Sequence, residues 1–134
     1  SNYTVVFDED EAIDRYEVTA DGSIGEIPTP ILRGGREIKL DDSYFAIDAL
    51  IFFDVKSRGI SVRDDRTGEK IHVAYPGFDT LLIWSKPGAE LVCIEPWAGA
   101  PDLSWKPYDD LKDKYRIRKL SPGKREILTH TITF

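Results

Sequence analysis

The sequence predicts an all-β fold, an antiparallel β-sandwich, from three observations. Short segments alternate apolar and polar residues, as half-exposed strands do. Glycine, proline and aspartate recur between these segments and mark turns. No long stretch has the spacing of an amphipathic helix, and six or seven strands can be counted along the 134 residues. The length and the composition, 41% apolar and 31% charged, suit a single globular domain over residues 1–134.

The first quarter of the chain predicts two strands and a long connection. Residues 4–7 have strand composition and run into the acidic residues 8–11, which we predict to be a solvated turn. Residues 15–18 alternate as a half-exposed strand does, and Asp21-Gly22 supplies a hairpin turn. Prolines and paired glycines interrupt residues 24–35, which we therefore predict to be an irregular crossing loop.

An acidic residue in an apolar stretch, Asp48, is the first candidate for a binding role. Asp41, Asp42 or Ser43 can cap a short helical turn, in which Phe45 and Asp48 would share a face. Burying this carboxylate among its apolar neighbours would require a hydrogen-bond donor or a polar ligand. The alternative is that Asp48 caps backbone amides in a tight corner.

The middle and the end of the chain predict four further strands. Residues 60–63 and 70–75 form a hairpin, and residues 81–84 form the next strand. His72 lies opposite the apolar residues of its strand, which predicts an exposed histidine. The last strand covers residues 127–134 and places His130 in an apolar series, so we predict a core or edge histidine there.

The strongest candidate for chemistry is Glu95, at the end of an apolar run. Residues 91–95 have the composition of a strand covered on both faces, and Pro96 should end its pairing. Glu95 would share a face with Cys93 and lie beside Trp97. Burial there would suit a carboxylate that accepts protons as a general base. The alternatives are a rim glutamate in water and a structural partner for a lysine or an amide.

Charge and cysteine content limit the partners. A net charge of −6 disfavours nonspecific nucleic-acid binding, which needs clustered lysine and arginine. The one cysteine, Cys93, excludes an internal disulfide and a cysteine-based zinc cluster. No apolar stretch is long enough to span a bilayer and no leader is visible, so we expect a cytoplasmic protein without a membrane partner. We also expect no cofactor and no metal.

The chain resembles the C-terminal half of an aldose 1-epimerase (mutarotase) superfamily protein of the bacterial branch. The resemblance rests on Phe45-Ala46-Ile47-Asp48-Ala49-Leu50-Ile51-Phe52, on Ile83-Trp84-Ser85-Lys86-Pro87, and on Val92-Cys93-Ile94-Glu95-Pro96-Trp97-Ala98-Gly99. It implies a β-sandwich that binds a free sugar and interconverts its α and β anomers. It also implies that Glu95 is the base, that Asp48 holds sugar hydroxyls, and that Trp97 and Trp84 offer apolar faces to the ring.

The resemblance also implies that part of the machinery lies outside this chain. The family's proton-donating histidine belongs to a segment upstream of residue 1, and neither His72 nor His130 matches it. The chain contains no methionine, and Ser1-Asn2 resembles a tag or cleavage remnant, so we predict a fragment. Without an acid that contributes ~10²–10⁴-fold, such a fragment should be nearly inactive.

One expectation about association and two alternative functions complete the sequence analysis. Its exposed edges favour a homodimer or association with the missing N-terminal half. A carbohydrate-binding or regulatory module that uses the same residues is the first alternative function. A glycosidase that uses Asp48 and Glu95 as a carboxylate pair is the second.

Overall fold

Ten short β-strands, paired in antiparallel fashion, dominate the computed structural model, which describes residues 2–134. Ser1 lies outside the described residues, and the tag or cleavage remnant at residues 1–2 stays a prediction. Two short 3-10 turns, Asp42–Phe45 and Leu111–Asp113, are the helical elements of the described part. The strands are β1 (Tyr3–Phe7), β2 (Ala12–Arg15), β3 (Thr29–Arg33), β4 (Glu37–Lys39), β5 (Leu50–Phe53), β6 (Gly59–Asp64), β7 (Lys70–Ala74), β8 (Thr80–Trp84), β9 (Cys93–Trp97) and β10 (Thr131–Thr133).

Two sheets face each other across the main core. A five-stranded sheet has the order β10-β7-β6-β1-β4, and a three-stranded sheet has the order β5-β8-β9. The strands β2 and β3 form a separate pair. Inward side chains of both larger sheets meet in one cluster, to which β1 contributes Val5 and Phe7 and β8 contributes Leu81 and Ile83. The prediction of an all-β antiparallel fold is therefore confirmed.

The three-stranded sheet is apolar on its outer face as well. Ile51 on β5 and Leu82 on β8 are cross-strand partners, and they point away from the main core. They form a second cluster with Ile24 and Leu103, which belong to segments lying over this face. A strand covered on both sides needs apolar residues at successive positions, which explains the continuous run Leu81-Leu82-Ile83.

The acidic residues 8–11 are not all solvated, because Glu11 is buried with 1% of its surface exposed. The backbone N–H and the hydroxyl of Ser57 donate to Glu11 Oε1 at 2.8 and 2.7 Å. The backbone N–H of Lys56 donates to Glu11 Oε2 at 3.3 Å. The prediction of a fully solvated turn was wrong for this residue, because amides of a distant loop replace the water that a carboxylate needs.

Three other strand predictions need correction. The strand predicted at residues 15–18 lies earlier, because β2 covers Ala12–Arg15, and Tyr16 and Val18 form only isolated bridges. Residues 24–35 contain β3, which pairs with β2 through Ala12↔Arg33 and Ile13↔Leu32. The final strand is confined to Thr131–Thr133, because this segment lies exposed at the edge of the five-stranded sheet and pairs only with β7. His130 precedes it and is exposed.

The described part of the chain contains no helix with the length and the apolar character needed to cross a membrane.

Candidate functional site

The strand that carries Glu95, β9, lies at the edge of the three-stranded sheet and is half-buried. The predictions that it starts at Leu91 and is covered on both faces were wrong. Pairing also continues through Pro96 to Trp97, opposite Leu81 and Thr80. The sheet accommodates Pro96 because β9 is an edge strand, where a residue without an N–H need not leave a partner strand unsatisfied.

The register of β8 and β9 places Glu95 on the outer face of the sheet. Glu95 is the cross-strand partner of Leu82, and Trp97 is the partner of Thr80. Trp84 lies opposite Cys93, so its side chain emerges on the same outer face. The indole N–H of Trp97 donates to Glu95 Oε2 at 3.3 Å. The carboxylate therefore has a donor from its own strand, and it is half-buried, not enclosed.

Asp48 lies at the surface, just after the 3-10 turn that Asp41 caps. The predicted cap is thus present, but the turn ends at Phe45 and does not extend to Asp48. The predicted burial of Asp48 among apolar residues was wrong, because the turn releases its side chain into solvent. Its Oδ1 accepts a hydrogen bond from the backbone N–H of Ala49 at 2.8 Å, as the alternative of a corner cap requires.

One surface hollow of about 290 Å³ brings the four predicted site residues together. We call it the Glu95 hollow. Its size is at the lower end of small-molecule sites, which start at roughly 300 Å³. Asp48, Trp84, Glu95 and Trp97 line it, and the remaining lining residues are Val18, Gly22, Ile24, Ala49, Ile51, Leu82 and Pro101. The floor is thus the outer face of β5, β8 and β9.

A tight turn over residues 19–23 forms one wall of the Glu95 hollow. The Asp21 carboxylate accepts hydrogen bonds from the hydroxyls of Thr19 and Ser23 and from the Ser23 N–H. These donors, that of Thr19 foremost, lower the pKa of Asp21 to about 2. Sequence reasoning did not assign this wall to the site. The dipeptide Asp21-Gly22 was its only local signal, and it indicates a turn without indicating what the turn faces.

Another part of the wall, at Trp97 and Pro101, depends on the turn that follows Trp97. Gly99 has φ +114°, a conformation that favours glycine, and it redirects the chain toward Pro101. The Thr80 hydroxyl donates to Gly99 O at 2.6 Å, and the Gly99 N–H donates to Asp79 Oδ2 at 3.2 Å. These bonds tie the segment after Trp97 to the start of β8.

The chain's two histidines lie outside the Glu95 hollow. His72 lies on a strand of the five-stranded sheet, as predicted, with Nε2 3.1 Å from Asp8 Oδ1, but its side chain is half-buried and not fully exposed. His130 borders a second hollow, of about 440 Å³, which we call the apolar groove. Within residues 2–134, no cluster of three His, Cys, Asp or Glu side chains has an arrangement that could hold a metal ion.

The apolar groove runs between β9 and the five-stranded sheet. Ile94 and Pro96 border it from one side, and Ile71, Val73 and Ile132 border it from the other. Ile71 and Ile132 are 44% and 50% exposed, which is unusual for large apolar side chains that line a cleft. This part of the sandwich is therefore open.

Comparison with known proteins gives a consistent family resemblance over part of the relatives' length. No family model matches the chain. The plasmid-encoded and chromosomal LacX proteins of Lactococcus lactis subsp. lactis are each 30% identical over 95 residues, which cover 70% of this chain and 31% of the relative. The crystal structure of a galactose mutarotase related enzyme from Lactobacillus acidophilus matches with a TM-score of 0.72 and 25% identity.

The structural match covers 98% of this chain and 43% of the related chain. The chain thus spans about a third of the length of its curated relatives and less than half of the solved one. The resemblance to the galactose mutarotase-like superfamily is confirmed, and the fold is that of part of such a protein.

Proposed function

We propose that the Glu95 hollow binds a free aldose, because the chain has the fold of part of a galactose mutarotase-related enzyme. We further propose that Glu95 acts as the general base in interconverting its α and β anomers. The observation that carries this proposal is that one hollow contains Asp48, Trp84, Glu95 and Trp97, which come from three separate segments of the chain.

The chemistry of the Glu95 hollow suits a pyranose ring. A sugar presents hydroxyls around its edge and a C–H surface on its face, so carboxylates and aromatic rings are complementary to it. Trp97, 39% exposed, and Trp84 offer the apolar surface, and the carboxylate of Asp48 accepts hydrogen bonds from ring hydroxyls. Glu95, held through Trp97 Nε1, takes the proton of the anomeric hydroxyl so that the ring can open.

The proton that the ring oxygen needs must come from another group. His72 is paired with Asp8 on the other sheet, and His130 borders the apolar groove. We propose that further polypeptide of the mutarotase-like sandwich supplies this acid and packs into the apolar groove. Its open apolar walls and the larger size of the relatives support this association.

The test combines sugar binding by this chain with turnover by the intact protein. Titration of galactose and glucose should change the tryptophan fluorescence, because two indoles line the Glu95 hollow. In the intact protein, Glu95→Gln should reduce the rate of α-to-β equilibration, followed by polarimetry, at least ~10²-fold. Glu26→Gln, at an exposed position, is the matched control. Full activity of Glu95→Gln would show that Glu95 is not the base.

A noncatalytic sugar-binding module is the second candidate, because neither histidine of the chain lines the Glu95 hollow. Sugar binding without any acceleration of equilibration in the intact protein would favour it. Hydrolysis of an aryl glycoside would instead favour the use of Asp48 and Glu95 as a carboxylate pair.

A further inference from the structure

We propose that Asp79 is a positioning residue, which holds Trp97 and through it Glu95 in the geometry that proton transfer needs. This inference rests on the proposed function. Asp79 directly precedes β8, whose first residue, Thr80, is the cross-strand partner of Trp97. The Asp79 side chain is half-buried and lines neither the Glu95 hollow nor the apolar groove. Its influence on the site must therefore pass through the residues that it binds.

The backbone of Trp97 depends on Asp79 because β9 is an edge strand. Among the described strands, β8 alone pairs with β9, so the other side of its backbone has no ladder. Trp97 is the last residue of β9, and the Asp79 N–H donates to its carbonyl oxygen at 3.0 Å. The Trp97 side chain is 39% exposed, so packing alone does not fix it. The hydrogen bonds at the end of β9 therefore decide where the indole lies.

The carboxylate of Asp79 holds the turn that follows Trp97. Its Oδ2 accepts hydrogen bonds from the Gly99 N–H at 3.2 Å and from Arg118 Nε at 2.9 Å. Gly99 is buried, so water cannot readily replace this acceptor. Arg118 is itself held by the carbonyl oxygen of Gly77, to which its Nη2 donates. The carboxylate thus connects the start of β8, the turn after β9 and the segment that carries Arg118.

Arg116 strengthens the same network. Its Nη1 donates to the Asp79 carbonyl oxygen, and its own carbonyl oxygen packs against Gly99, 3.4 Å from where a Cβ would lie. Arg116 adopts φ +56°, a left-handed conformation that a residue other than glycine keeps only where its contacts enforce it. The bond to Asp79 and the Phe53 ring, 5.1 Å from the guanidinium, provide such contacts. The segment around Arg116 is therefore fixed against the turn after Trp97.

The position of Trp97 matters for Glu95 because the indole N–H donates to Glu95 Oε2 at 3.3 Å. This bond is already long, so a small movement of Trp97 would break it. A displacement of about 1 Å at a reacting group can cost ~10²-fold in rate. Asp79→Ala keeps the backbone bond to Trp97, so we expect a smaller loss, about tenfold in kcat. KM should change less than about threefold, because Asp48 and Trp84 still line the Glu95 hollow.

The experiment is a double-mutant cycle in the intact protein, with kcat for α-to-β equilibration of galactose or glucose followed by polarimetry. Trp97→Phe removes the indole N–H that Glu95 accepts. If Asp79 acts through Trp97, Asp79→Ala should lower kcat about tenfold in the wild type and less than about twofold in Trp97→Phe. Asp79→Asn, which keeps an acceptor for the Gly99 N–H, should have a kcat between those of the wild type and Asp79→Ala.

Two control variants separate positioning from a loss of charge or of stability. Asp109→Ala removes an exposed carboxylate that lines neither hollow and should leave kcat unchanged. Glu11→Gln weakens buried hydrogen bonds away from the Glu95 hollow and should leave the kcat of the folded protein unchanged. Hydrogen exchange followed by mass spectrometry adds a measurement that needs no turnover. Asp79→Ala should speed exchange in residues 95–101 about tenfold, and neither control should.

The outcomes separate this inference from the proposed function. In an active protein, a kcat of Asp79→Ala equal to that of Asp109→Ala would overturn the positioning role and leave the proposed function standing. The same loss in both backgrounds of the cycle would also overturn it, because Asp79 would then not act through Trp97. Unchanged exchange in residues 95–101 would overturn it whether or not the protein turns over a sugar. Absence of turnover in the intact wild-type protein would overturn the proposed function, and with it the role of Asp79 in proton transfer.

Discussion

The buried carboxylate of Glu11 allows the sharpest test of how the loops beside the sandwich are held. Glu11→Ala removes the acceptor of the Ser57 N–H and hydroxyl and of the Lys56 N–H. Ser57 is fully buried, so water cannot replace the lost acceptor without a structural change. A buried donor left without a partner costs about 1–3 kcal/mol, and the hydroxyl bond adds about 1 kcal/mol. We expect Glu11→Ala to lower the free energy of unfolding by about 3 kcal/mol.

Urea unfolding followed by circular dichroism measures this loss. Glu11→Gln keeps an oxygen that can accept both bonds from Ser57, but it loses the charge and also the acceptor of the Lys56 N–H, because the amide NH2 takes the place of Oε2. It should therefore cost about 2 kcal/mol, less than Glu11→Ala. Glu26→Ala, at an exposed glutamate, should stay within about 0.5 kcal/mol of wild type. A Glu11→Ala loss no larger than that of Glu26→Ala would refute the reasoning, because it would mean that the Glu11–Ser57 bonds contribute nothing.

Three further predictions concern other polar groups. Among the described residues, Tyr75 has a buried hydroxyl without a hydrogen-bond partner, so Tyr75→Phe should leave the free energy of unfolding unchanged or raise it by up to about 1 kcal/mol. Burial raises the pKa of Tyr75, so above pH 10 a tyrosine ionises in the unfolded chain before it ionises in the folded one. The free energy of unfolding of the wild type should therefore fall above pH 10, and that of Tyr75→Phe should fall less over the same pH series. Arg116 donates to Asp79 O and lies over the Phe53 ring, so Arg116→Ala should cost about 2 kcal/mol and speed proteolysis of residues 100–118. The pKa of Asp21 is lowered to about 2, so its contribution to stability should be present above pH 4 and disappear as the pH falls toward 2. An NMR titration of the Asp21 carboxyl group with a midpoint near 3.8 would contradict this prediction.

Strand type could be read from the sequence wherever one face of a strand meets a core. Residues 60–63 and 70–75 alternate cleanly, and they form the hairpin of β6 and β7. The edges could not be read in this way. Thr131–Thr133 is short because nothing packs on it, whereas β3 forms despite Pro30 because β2 offers it a partner. Pairing at an edge depends on a neighbour that is distant in sequence, and local composition does not report that neighbour.

The candidate site shows the same division. Glu95, Trp97 and Trp84 could be nominated because each lies in or next to an apolar strand with a readable face. The burial of Glu11 could not be predicted from the sequence, because it depends on backbone amides that lie 45 and 46 residues away. Exposure of Asp48 was also unpredicted, since it follows from a 3-10 turn that ends at Phe45.

By itself, the sequence determined the all-β class, the alternation that gives each strand its two faces, and the family resemblance. It also supplied the carboxylates and indoles of the candidate site. Only the tertiary structure decided that these side chains share one hollow and that Glu11 is buried. The physical reason is that side-chain periodicity is a local property of the backbone, whereas a hollow forms where strands and turns far apart in sequence come together.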